Sequence, residues 1–230
     1  MPPPGCPNWD YSNHPECSNR LPASSATLLV SIESGNRSLS TDLEDTRPIH
    51  KSLFAKLWPA GHAYYVGNYR GLETKKCLKF YDVFIENDDL VGTPADSVHK
   101  EITELGETIV RMADEMTAKF DADGTSPADR AVSTVQLACL AFVNFLTVHP
   151  FANGNGHVAR AILIHVLRHF GFRLNRWTLD PRPQFGQLAN YDDMIYKHRR
   201  GETAPLEQFV LSCISQPPQS APSVSAAPTP

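Results

Sequence analysis

His149 heads the stretch His149-Pro150-Phe151-Ala152-Asn153-Gly154-Asn155-Gly156-His157-Val158-Ala159-Arg160, where a histidine precedes a small-residue turn that opens into an apolar, helical run. Gly154 and Gly156 lack side chains, so backbone N–H groups at the helix start can approach an anion closely, with the positive end of the helix dipole behind them. Phosphate or pyrophosphate suits such a cradle. Arg160 lies four residues beyond Gly156, about one turn into the helix, so its guanidinium can reach back to the same anion. The Asn155 side-chain amide is a further candidate donor. His149 would then sit beside the bound phosphates as a base that takes a proton from an incoming hydroxyl as its oxygen attacks phosphorus. The pattern points to transfer of a phosphorus-containing group.

Two helices must position these groups. Ala138, Leu140, Ala141, Val143, Phe145 and Leu146 form an apolar run introduced by Ser126 as N-cap and Pro127 in the first turn, which predicts a helix over 127–148 delivering His149 at its C-terminal end. Val158, Ile162, Leu163, Val166, Leu167 and Phe170 recur at helical spacing up to Gly171, predicting a buried helix over 156–170. Further helices are expected near 95–120, 190–199 and 204–215, with little sign of an extensive sheet, so the fold class is mainly α. With 230 residues, 41% of them hydrophobic, the chain can bury a sizeable core. Residues 1–24 are rich in Pro, Ser and Asn and are expected as a flexible N-terminal tail, and the Pro/Ser-rich stretch 216–230 as a second.

His149, Phe151, Gly154, Asn155, Gly156 and Arg160 resemble the signature of the Fic family of nucleotidyl transferases, which reads His, any residue, Phe, any residue, an acid, Gly, Asn, Gly, Arg, two of any residue, Arg. The resemblance implies a helical bundle of the Fic type with a small β-hairpin flap beside the active site, and a catalytic domain over 48–215 opened by Ile49 to Phe54. It implies His149 as general base, Gly154, Asn155 and Gly156 as the anion hole, and Arg160 on the distal phosphate. The implied activity is transfer of AMP or another nucleoside monophosphate, from ATP or another nucleoside triphosphate, to a Ser, Thr or Tyr hydroxyl of a target protein. Two positions depart from the family pattern. Asn153 stands where an acid would hold magnesium, and an uncharged amide should bind a hard cation more loosely. His157 stands where an arginine is expected and cannot match its fork. These departures leave two alternatives open: a degenerate binding module without turnover, or a transferase that uses a different phosphodiester donor.

The resemblance assigns further positions. Cys77 to Ile85 alternates apolar and polar residues before the turn-like Asn87-Asp88-Asp89 and resembles the flap that pairs with an extended target, which places Lys79, Phe80, Tyr81 and Asp82 at the docking edge. Tyr191 opens a segment resembling the helix that closes the nucleotide pocket. The resemblance also implies control by an antitoxin or by an internal inhibitory helix. The N-terminal segment 25–47 is the candidate regulatory region, and Glu33, in a near match to the inhibitory motif, is the candidate clamp on Arg160.

Other classes lose ground. Five scattered cysteines do not indicate a disulfide framework, and a reducing compartment is expected. Cys6, His14 and Cys17 lack the paired spacing of a zinc module. His165 and His169 are four apart, but their segment lacks the glutamate of the metalloprotease pattern, so they read as helix residues making local bonds or facing solvent. A net charge of −4 leaves no nucleic-acid footprint. No secretory signal stands out and no run of about 18 apolar residues suggests a membrane span. A cytoplasmic location is expected, with secretion as a bacterial effector compatible with the tails.

Overall fold

The computed structural model describes residues 2–85, 88–122, 124–175, 177–181 and 191–215. The expected tail over 216–230 and Asn87 of the turn after the flap segment lie outside the described residues.

Helix α1 (Cys17–Glu33) is followed by two short helices, α2 (Leu39–Glu44) and α3 (Arg47–Phe54), and by the single turn α4 (Lys76–Lys79). The bundle proper comprises α5 (Val98–Ala122), α6 (Pro127–Val148), α7 (Asn155–His169), α8 (Tyr191–Arg199) and α9 (Ala204–Cys213). Among the described residues, strands appear only as the antiparallel pair β1 (Arg173–Leu174) and β2 (Ile214–Ser215).

The helix α6 starts as its sequence requires, with Ser126 Oγ accepting the Asp129 N–H at 3.1 Å and Pro127 in the first turn. It is apolar and long enough to cross a membrane by length and composition, yet most of it is buried inside the bundle. Its main neighbour is α7, while α5 and α9 cover its other faces. In α7 almost every side chain is buried, which explains an apolar pattern wider than one helical stripe. The polar side chains of α7 therefore need internal partners, and His165 finds one in Asp42 of α2 at 3.0 Å. Burial pushes the Asp42 carboxyl up, but hydrogen bonds from His165 and Arg37 outweigh it and hold it below its ordinary value.

Residues 2–24 depart from the expected tail. Trp9 is 3% exposed, its Nε1–H donates to Leu57 O at 2.8 Å, and its ring meets His50, Phe54 and Tyr65 with centroids within 6 Å. Tyr65 Oη donates to Pro7 O at 3.0 Å, and Tyr81 Oη to Asn8 Oδ1 at 3.3 Å. Cys6 is disulfide-bonded to Cys77, 71 residues away, whereas Cys17, Cys139 and Cys213 form no disulfide. The scattered cysteines, which did not indicate a disulfide framework, still form this one pair because docking of the arm, not sequence proximity, brings Cys6 to Cys77. The composition of residues 1–24 misled for a related reason: one tryptophan packed among three rings, and a crosslink, anchor a stretch whose average is polar.

The flap segment also differs from a hairpin. It begins as α4 and continues over residues 80–85 without strand structure. Within it, Tyr81 O accepts a hydrogen bond from the buried Arg70 guanidinium at 2.9 Å.

Trp9→Ala is expected to destabilise the fold by about 3–5 kcal/mol, the range for removing a buried indole. Urea unfolding measures it, and a loss under about 1 kcal/mol would mean the arm is not packed as described.

Candidate active site

The site is built at the junction of α6 and α7. The first helix ends because His149 adopts the left-handed conformation, φ 53° and ψ 57°, while its N–H still donates to Phe145 O at 3.0 Å. A non-glycine residue holds that conformation only where its surroundings enforce it. Arg70 does so. Its Nε–H donates to His149 O at 2.8 Å, Nη2 to Val148 O at 3.0 Å and Thr93 O at 2.9 Å, and Nη1 to Tyr81 O at 2.9 Å. Its backbone N–H donates to Pro150 O at 2.8 Å, so three successive carbonyls of the turn are taken by one residue. The guanidinium is fully buried, and burial pushes its pKa down to about 10, which leaves it cationic at neutral pH.

His149 itself points one nitrogen at the helix end, with Nδ1 3.3 Å from Leu146 O. A carbonyl only accepts, so Nδ1 carries the hydrogen and Nε2 keeps its lone pair. Burial and then the Arg70 charge lower its pKa to about 4, so the imidazole is neutral at pH 7 and able to accept a proton.

The turn beyond is closed by side chains. Asn155 accepts the Phe151 N–H at Oδ1 and donates from Nδ2 to Phe151 O, both at 2.8 Å. Oδ1 and one of the two Nδ2 hydrogens are therefore spent within the turn, so the side-chain amide expected to donate to a bound anion supports the turn first. His50 accepts the Gly67 N–H at Nδ1, 2.9 Å, and donates from Nε2 to Asn153 O, 3.0 Å, while stacking on Phe151 at 3.9 Å. Burial takes the His50 pKa down to about 3. Gly154 has φ 81°, and a Cβ there would lie 2.4 Å from the Phe54 ring, so no larger residue fits.

What remains open is the start of α7. The N–H groups of Asn155 and Gly156 donate to no acceptor among the described residues, as the first turn of a helix leaves them. Arg160 is 4% exposed, its Nε–H tied to Leu179 O at 2.9 Å, and its Nη1 lies 3.3 Å from where a Gly156 Cβ would stand. His149, Asn153 to His157, Arg160 and Tyr191 line one pocket of about 310 Å³, together with Tyr11, Leu146, Asp192 and Ile195. The pocket thus brings together the N-terminal N–H groups of α7, the Arg160 guanidinium and the neutral His149 imidazole, groups whose chemistry suits an anion and a proton acceptor.

Residues 40–167 match the model of the Fic/DOC family. The chain belongs to the Fic/DOC family. Its fold is similar to that of BepC, a VirB-translocated Bartonella effector protein solved with AMPPNP from Bartonella tribocorum, at 15% identity and a TM-score of 0.57 over 87% of each chain. It is also similar to the N-terminal Fic domain of a VirB-translocated Bep effector protein with bound ADP from Bartonella quintana, at 16% identity, covering 94% of this chain and 91% of that one, TM-score 0.56. No curated protein matches the chain.

Within this Fic fold, several positions differ from expectation. Asn153 accepts the Gly154 N–H at 2.6 Å and donates to Trp9 O at 2.9 Å. An uncharged amide with both ends engaged does not fit a hard divalent cation, and no group of three potential ligands converges among the described residues. His157 is likewise engaged, with Nε2 3.2 Å from Asp180 Oδ1 and Nδ1 3.4 Å from Tyr11 Oη. Glu33 does not clamp Arg160. Its carbonyl accepts from Arg168 Nη2 at 3.1 Å, two turns further along α7, because α1 crosses the opposite end of that helix. Of the proposed docking edge, Phe80 is exposed and Lys79 pairs with Glu73, whereas Tyr81 is buried and Asp82 accepts the Ala95 N–H.

Arg70, His50, Phe54 and Tyr11 were not singled out as site residues from the sequence. Ile49 to Phe54 carried the only signal, as the opening segment of the family domain; Arg70 sits in an unpatterned loop with none.

Arg70→Met should destabilise the protein by about 3–5 kcal/mol, since it strands carbonyls that the buried cation satisfied. Thermal unfolding tests this, and a change under about 1 kcal/mol would refute the role assigned to Arg70. A pH dependence follows from His50 and His149, whose folded values of about 3 and about 4 lie below the ordinary 6.5. Between these limits the unfolded chain binds protons that the folded chain refuses, so stability is full above pH 6.5 and is lost as pH falls. The unfolding midpoint should drop from about pH 7 toward pH 5, less steeply in His50→Gln.

Proposed function

We propose that this protein transfers a nucleoside monophosphate, AMP in the first instance, from a nucleotide to a hydroxyl group of a target protein. The observation that carries the reading is the neutral His149 imidazole in the same pocket as Arg160 and the Asn155 and Gly156 N–H groups, which have no acceptor among the described residues. The ADP and AMPPNP bound by the Bartonella Fic structures support a nucleotide in this pocket.

In the proposed step the target hydroxyl gives its proton to His149 Nε2 as its oxygen bonds to the α-phosphorus. The bond from that phosphorus to the bridging oxygen breaks, and the leaving phosphates keep the electron pair. The start of α7 and Arg160 stabilise the charge that develops on them. Tyr191, buried at the pocket edge, packs beside the nucleoside. Lys79 and Phe80, with the exposed Phe84 and Ile85, form the surface on which the target chain docks. No step is assigned to magnesium, since Asn153 does not suit it.

The engagement of Asn153 and His157 favours a second reading, a nucleotide-binding protein without turnover. Intact-mass spectrometry of the protein and a target lysate, incubated with separate nucleotide donors, discriminates the two. A mass gain of one nucleoside monophosphate that disappears in His149→Ala, by about 100-fold or more in rate, is the expected result. Transfer that survives His149→Ala would overturn the mechanism, and nucleotide binding without any mass gain would favour the second reading.

A further inference from the structure

The pocket has a wall that the family signature does not supply. Tyr11 lies in the 3-10 turn Tyr11–Asn13 of the N-terminal arm, outside the matched region 40–167, yet its side chain lines the cavity with His149, the start of α7 and Arg160. Its place is determined from several sides. The ring packs on Phe54 at 4.7 Å and edge-on to His157 at 5.6 Å. The preceding Trp9 is buried and hydrogen-bonded at both its indole and its carbonyl, and the Cys6–Cys77 bond fastens the arm upstream.

The hydroxyl has a definite direction. Asp180 is acceptor only, so His157 donates to it from Nε2 and presents the lone pair of Nδ1 to Tyr11. The phenol is therefore the donor in the 3.4 Å contact, which is long for a hydrogen bond to an imidazole nitrogen. Burial, opposed in part by Arg160, raises the Tyr11 pKa, so its proton is retained at neutral pH. A donor held loosely by one acceptor gains by turning to a charged one, because a hydrogen bond to a phosphate oxygen is stronger than one between neutral groups.

We propose that Tyr11 is a phosphate-binding residue of the nucleotide pocket, its hydroxyl supplying, beside Arg160 and the start of α7, the donor that His157 does not. This rests on the nucleotide reading above. The donor is neutral, so it adds recognition of a phosphate oxygen without adding positive charge to the site.

ADP titrated by calorimetry into the full chain and into Tyr11→Phe tests the assignment, with Tyr65→Phe as the comparison. Tyr65 hydrogen-bonds the same arm at Pro7 and does not line the pocket, so its variant loosens the arm alone. The expected result is ADP binding about tenfold weaker in Tyr11→Phe, or 1.4 kcal/mol, with less than a threefold change in Tyr65→Phe. Equal affinity of Tyr11→Phe and the natural chain for ADP would overturn the assignment, and an equal loss in the two variants would do so by reducing Tyr11 to an anchor. Failure of the natural chain to bind ADP would overturn the nucleotide reading itself, and the assignment with it.

Discussion

The buried guanidinium of Arg70 holds the junction on which the site depends. A helix that ends in the interior leaves carbonyls that must be satisfied, and here the carbonyls of Val148, His149 and Pro150 all accept from one residue. The same bonds keep His149 in a left-handed conformation, which turns the chain from α6 into α7 within a few residues. Arg70 acts a second time through its charge, which adds to burial in keeping the His149 imidazole neutral. Backbone geometry and proton affinity at His149 thus share one contributor.

Around that junction the polar groups divide into two sets. Asn153, Asn155, His50 and His157 are bound to protein partners and shape the turn. The first N–H groups of α7, Nη1 of Arg160 near Gly156, and Nε2 of His149 have no protein partner among the described residues and belong to residues that line the pocket. The two positions that depart from the Fic signature fall in the first set. Their side chains have exchanged ligand contacts for contacts with the N-terminal arm and with Asp180, so the departures are structural features of this chain as well as losses from the pattern.

The N-terminal arm shows how few residues can order a polar stretch. Its average composition is that of a flexible segment, but Trp9 fills an aromatic recess formed by His50, Phe54 and Tyr65, and Cys6 is covalently attached near the flap segment. Burying one indole and linking Cys6 to Cys77 across 71 residues each offset part of the entropy of fixing the arm. The consequence is a pocket wall contributed from outside the family-matched region.

The helices α5 to α9 were legible in the sequence to within a few residues, because apolar periodicity, the Ser126-Pro127 start and the Gly171 stop are local signals. The cradle was legible too, since glycines opening a helix, an arginine one turn on and a preceding histidine lie within twelve residues. The helices α1 to α4 and the order of the arm were not, because their stability comes from partners far away in the chain and not from their own pattern. Nor could spacing reveal that the Asn155 amide faces the turn, that Glu33 meets the wrong end of α7, or that Cys6 finds Cys77. Sequence by itself determined the kind of chemistry available at 149–160, since that depends on residue type and local backbone; tertiary structure decided which of those groups remain open to a ligand, since each hydrogen-bonding capacity can be spent on a distant partner only once the chain has folded.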